Sequence, residues 1–201
     1  MKNFRAIWKH EVRQINAIAH PLVEEQKVRL SWRILIPPLL IKDYIHYRNR
    51  LRVLRKNLIF TKQLAFDVAK NVFDGKERAW EKRRIEIKTQ EILDKEKKGY
   101  YTDKIRRKQF NEIELLIDYY LELMNTDQSK YAKIVKATYP SKGNYLSFLN
   151  KLQKLEEEVI QAAITTMRKG TKKERREWFD KVRATTKKVR MAELDDIYSE
   201  Q

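Results

Sequence analysis

Cysteine is absent from this 201-residue chain, which removes disulfides, thiolate metal sites and thiol nucleophiles together. Glycine is nearly as scarce. Its four copies, at 75, 99, 143 and 170, stand too far apart to build a phosphate-cradling loop or a dinucleotide fingerprint. The three histidines, His10, His20 and His46, lack the i, i+4 spacing around a glutamate that helical zinc proteases use. No Glu-x-x-His pair suits a di-iron bundle, and no Gly-x-Ser-x-Gly elbow presents a nucleophilic serine. These gaps predict a non-enzymatic protein with no metal, no cofactor and no catalytic residues.

Long apolar runs are missing as well. The longest, 34–41, has eight residues and is split by Pro37 and Pro38, against about twenty for a membrane-spanning helix. Charges interrupt the first ten residues, so no secretory leader is expected. The expected location is cytoplasmic, with the inner face of the membrane as one place for it.

Charge of one sign dominates what remains: 45 Lys and Arg oppose 28 Asp and Glu, a formal net charge of +17. Charged residues make up 36% of the chain and hydrophobic ones 42%, a balance that favours long solvated helices. An aromatic content of 10% argues against disorder. The expected fold class is all-α: an elongated bundle in which two long coiled-coil-like helices pack antiparallel among several shorter ones.

The spacing of Tyr44, Tyr47, Leu51, Leu54, Leu58, Thr61, Ala65, Val68 and Val72 alternates between three and four. That is a helix seam, and it predicts a long helix over 39–73 closed by a left-handed cap at Asp74-Gly75. A second seam, Tyr145, Phe148, Leu152, Leu155, Val159 and Ala162, predicts the other long helix over 144–169. An amphipathic helix carrying Ile7, Ile15 and Ile18 is expected to stop before Pro21, with a second short helix running on to the Pro37-Pro38 break. Thr102 is placed to cap a helix with Ile113, Leu116, Ile117 and Tyr120 on its face, and Thr171-Lys172-Lys173-Glu174 is a capping-box pattern. Three regions follow, 1–75, 76–110 and 111–201, as parts of one continuous unit.

Three features carry functional expectations. With Tyr44 at heptad position a, Arg48, Arg55 and Lys62 fall at e, beside Arg50, Arg52 and Lys56; this strip either pairs with acids of a neighbouring helix, such as Glu112, Glu114 or Glu156 to Glu158, or stays exposed to bind phosphates. Trp32, Ile34, Leu35, Ile36, Leu39, Leu40 and Ile41 form either a buried corner or an apolar element that inserts shallowly at a lipid interface. Basic segments interleaved with aromatics, Tyr100 and Tyr101 in one and Trp178 and Phe179 in the other, suit RNA by composition. Glu156-Glu157-Glu158 reads as a solvated face, because consecutive helical residues point in different directions.

The expectation drawn from these is an assembly or adaptor subunit that docks on an anionic membrane surface or an acidic protein partner, as a homo- or hetero-oligomer. RNA or ribosome binding is the alternative, and an enzyme with an unrecognised carboxylate site the remote one.

Overall fold

A computed structural model describes residues 2–24, 37–97, 99, 101–166 and 171–199; the side chains of 2, 24, 37–48, 50 and 53 fall outside that description. The described residues form seven α-helices and no strand. They are α1 (Lys2–Glu24), α2 (Pro37–Phe73), α3 (Arg78–Lys95), α4 (Asp103–Met124), α5 (Tyr131–Thr138), α6 (Lys142–Thr166) and α7 (Lys172–Tyr198).

Five of them close a ring. α1 packs on α2, α2 on α4, α4 on α6, α6 on α7, and α7 returns to α1. The two remaining helices are peripheral: α3 lies on α2, and the short α5 covers α1, α4 and α7. The expected direct pairing of the long helices α2 and α6 is replaced, because α4 stands between them and meets both. Sequence explains this. The inward face of α4 buries Ile113, Leu116, Ile117, Tyr120, Leu123 and Met124 together, so covering it from several sides removes more apolar surface from water than a pairing of the two seams.

α1 runs antiparallel to α2, as Phe4 meets Phe73 edge-on at 5.2 Å between centroids and Trp8 meets Phe66 at 5.1 Å. It continues through Pro21 to Glu24, four residues beyond the expected stop before Pro21. Proline deletes the hydrogen bond to the carbonyl of residue 17. Ala17 is exposed, so water can take that acceptor, while Leu22 and Val23 just beyond are buried and hold the last turn down.

The end signals are those the residues call for. Gly75, at φ 93°, closes α2 in the left-handed region. The Thr102 hydroxyl accepts from the Ile105 amide, and the Thr171 capping box is complete, with Glu174 N donating to Thr171 Oγ1 and Thr171 N to Glu174 Oε2. α6 is described to Thr166, and the rest of the expected span, 167–169, lies outside the described residues.

Within the ring the core changes character along its length. Around α5 it is aromatic: Tyr119 stacks on Phe148 at 4.2 Å, Phe66 meets Tyr120, and Tyr139 lies against both Tyr145 and Phe148. Away from α5 it is aliphatic, with Ile18, Leu22 and Val182 buried among Leu54, Leu58 and Ile160. Between these two layers lies a layer of charge.

Candidate functional site

Every helix of the ring sends one charged side chain to that middle layer: Glu11 of α1, Lys62 of α2, Glu112 of α4, Glu156 of α6 and Arg190 of α7. Four of the five are buried, Arg190 to 2% exposure and Glu112 to 5%. On each helix the residue occupies a place where periodicity calls for an apolar one. Glu11 sits between Ile7 and Ile15, Glu112 between Ile105 and Leu116, and Arg190 between Val182 and Leu194.

Two ion pairs organise the layer. Lys62 Nζ donates to Glu11 Oε2 at 2.7 Å, and Arg190 Nη2 to Glu156 Oε1 at 2.7 Å. Burial opposes the charge on Glu11, Lys62 and Arg190, but the partners prevail. Lys62 holds Glu11 below the ordinary carboxylate value, and Glu11 with Glu156 raises Lys62. Glu156 likewise keeps the Arg190 guanidinium charged against its burial. Pairs of this kind stay ionised because each charge left alone in a poorly solvated interior costs several kcal/mol.

Glu112 has no such partner. It makes no hydrogen bond or ion pair among the described residues, and its carboxyl opens on a cavity of about 100 Å³ that Lys62, Glu156 and Arg190 also line. Burial and then the adjacent Glu156 charge push its carboxyl up from 4.5 to about 8, against the weaker pull of Lys62 and Arg190. At neutral pH Glu112 is therefore protonated, and the layer carries two cations against two anions.

A second polar group adjoins the first. The hydroxyls of Tyr119 and Tyr131 lie 2.7 Å apart and those of Tyr131 and Tyr145 3.2 Å apart, and Tyr145 donates to Glu193 Oε1 at 3.1 Å. His10 stacks on the Tyr131 ring with centroids 3.5 Å apart and brings Nε2 to 3.0 Å from the same Glu193 oxygen, without hydrogen-bond alignment. Burial raises all three phenols well above their ordinary value, so they remain protonated donors. A groove of about 510 Å³ between α1, α5 and α7 reaches His10, Tyr131 and Glu193 from the surface.

The residues expected from sequence fall into three groups. Lys62 is not part of an exposed strip: at 6% exposure it is an internal ion-pair partner. The seven-residue step from Arg55 carries it onto the face that α1 covers, where Glu11 neutralises it. Arg52, Arg55 and Lys56 do lie at the surface, on a groove of about 360 Å³ between α1 and α2 floored by Val12, Ile15, Leu51 and Ile59. They make no ion pair among the described residues. Some cations elsewhere are matched, Arg78 by Glu114 and Asp118, Lys82 by Glu114, Lys108 by Glu158 and Arg183 by Glu157. Of the seam, Leu51 and Val68 are buried and Leu54, Leu58 and Val72 half-buried.

Trp32, Ile34, Leu35 and Ile36 lie outside the described residues. So do the side chains of Leu39, Leu40, Ile41, Tyr44, Tyr47, Arg48 and Arg50, although their backbone belongs to α2.

Two further expectations are corrected. The Glu156-Glu157-Glu158 run is not a solvated face, because its members take three directions to Arg190, Arg183 and Lys108. The aromatics of the two basic segments do not form stacking platforms: Phe179 is buried, Trp178 packs on the aliphatic layer, and Tyr101 donates to Gln109. Tyr100 lies outside the described residues. Among these residues no helix is long and apolar enough to cross a membrane.

Fold and site define a basic all-helical bundle with an internal charged layer. The chain matches no family model, no curated protein and no solved structure.

Proposed function

We propose that the chain is a non-enzymatic helical adaptor that docks on an anionic surface, the cytoplasmic leaflet of a membrane, through the α1–α2 face. The observation that carries this reading is the grouping of Arg52, Arg55 and Lys56, none in an ion pair among the described residues, on one apolar-floored groove. An apolar floor with a cationic rim suits a lipid headgroup and the chain beneath it. The same helix begins at Pro37 and carries Leu39, Leu40 and Ile41 in its first turns. Association of α2 with a partner chain along its seam belongs to the same proposal.

Three cations near an anionic leaflet contribute about 1 kcal/mol each, so replacing Arg52, Arg55 and Lys56 by Gln should weaken binding on the order of 100-fold. The assay is sedimentation with vesicles of phosphatidylglycerol and phosphatidylcholine, at low and raised salt, beside retention on single-stranded RNA. Wild-type pelleting that the triple variant loses supports the proposal. Retention on RNA without pelleting replaces it by the nucleic-acid reading, and absence of both leaves an acidic protein partner. A second reading, an enzyme, is favoured by one observation, that Glu112 and Glu156 face a single cavity beside Lys62.

A further inference from the structure

The cavity in the charged layer is lined by five helices, and its lining divides into two parts. One part is aliphatic, from Leu58, Ile160 and Val182; the other is charged. What the charged part can offer a ligand is decided by which atoms reach the space. Lys62 is bonded to Glu11 and Arg190 to Glu156. The two remaining guanidinium nitrogens of Arg190, Nε and Nη1, have no partner but are sealed from solvent. The Glu112 carboxyl is different. It is buried, without a partner among the described residues, and open to the cavity. The free capacity facing the space is therefore that of a carboxyl that becomes an acceptor when its proton leaves, with the Glu156 carboxylate beside it.

The fixed charges point the same way. With Glu112 ionised the layer holds three carboxylates, Glu11, Glu112 and Glu156, against the cations of Lys62 and Arg190, so one further positive charge would balance it. An anion would add to the excess. The volume, about 100 Å³, admits several waters or a few heavy atoms, and the aliphatic wall suits a short hydrocarbon chain.

We propose that this cavity binds a small primary ammonium ion with a short alkyl chain, the ammonium held by Glu112 and Glu156 and the chain against Leu58, Ile160 and Val182. No covalent step is involved. Binding exchanges one positive charge for another: the ligand arrives as ammonium and the proton held by Glu112 leaves to solvent. The site is independent of the surface reading above, since Arg52, Arg55 and Lys56 line a different groove.

The test is calorimetric titration of the full chain with n-butylammonium at neutral pH, in buffers of different ionisation enthalpy, with sodium butyrate as the opposite-charge probe. The expected result is saturable binding of butylammonium with release of about one proton per site, weakening about tenfold for each pH unit below the value of about 8 at which Glu112 ionises. Butyrate should not bind. Glu112→Gln, checked for unchanged helix content, should bind at least tenfold more weakly and release no proton. Wild-type binding without proton release, equal binding by the variant, binding of butyrate in place of the amine, or no binding of butylammonium at all would each overturn the assignment. Because the buffer dependence is read on the wild type, the outcome stands even if the variant does not fold.

Discussion

Stability should fall as pH rises from 5 to 9, and Glu112→Gln should abolish most of that fall. The facing groups are Glu11 and Gln14 of α1, Lys62 of α2, Glu156 of α6 and Arg190 of α7. In the folded chain the Glu112 carboxyl holds its proton up to about 8, whereas in the unfolded chain it releases it near 4.5. Over that interval the folded state binds the extra proton, so each rise in pH favours unfolding. Glu112 therefore disfavours folding least at low pH, and its full cost is reached once pH exceeds about 8. Each tenfold in proton affinity is about 1.4 kcal/mol, which puts the total on the order of 3–5 kcal/mol.

The other charges of the layer do not share this window. Glu11, held below 4.5, loses its contribution only in acid, and Lys62, raised above 10.5, only in strong base. For a chain of this size 1 kcal/mol corresponds to about 2–4 °C in Tm, so the wild type should lose on the order of 10 °C more than Glu112→Gln between pH 5 and 9. Thermal melts followed by circular dichroism read the difference directly, and taking it against the variant removes the titration of His10, His20 and His46. Parallel pH profiles for the two proteins would refute the reasoning. They would mean that water solvates Glu112 well enough to ionise it as on a surface.

Two other perturbations test the packing around that layer. Lys62→Met should cost about 3–5 kcal/mol in urea unfolding by leaving Glu11 buried without its cation, and the double change of Glu11 and Lys62 to leucine should cost less than that single one; a double variant at least as unstable would contradict it. Leu51→Asp should destabilise by several kcal/mol, because Leu51 is buried against Ala19 and Val23, and should do so more than Leu58→Asp at a half-buried place; equal melting of both variants and the wild type would make the α2 seam a surface stripe.

Helices and their ends were legible because they are set locally. Thr102, the Thr171 box and Gly75 satisfy orphan backbone groups within a few residues of themselves, and the three-four spacing names the buried face of each helix without reference to any other. Which faces meet is not local. The seams of α2 and α6 are alike in kind, and nothing within either announces that α4, with its larger set of buried apolar side chains, will meet both. Pro21 misled for a related reason, since burial of Leu22 and Val23 by other helices outweighs one lost hydrogen bond. The charged layer was legible in part. Glu11, Lys62, Glu112, Glu156 and Arg190 each interrupt an apolar face, and one such interruption reads as a boundary residue. Five on five helices are worth reading together, because a buried charge is tolerable only opposite its counter-charge. The interruptions on separate helices had to be one another's partners, two positive and three negative. The surplus of one carboxyl over the cations, countable once the structure brings the five together, is what leaves Glu112 with a proton.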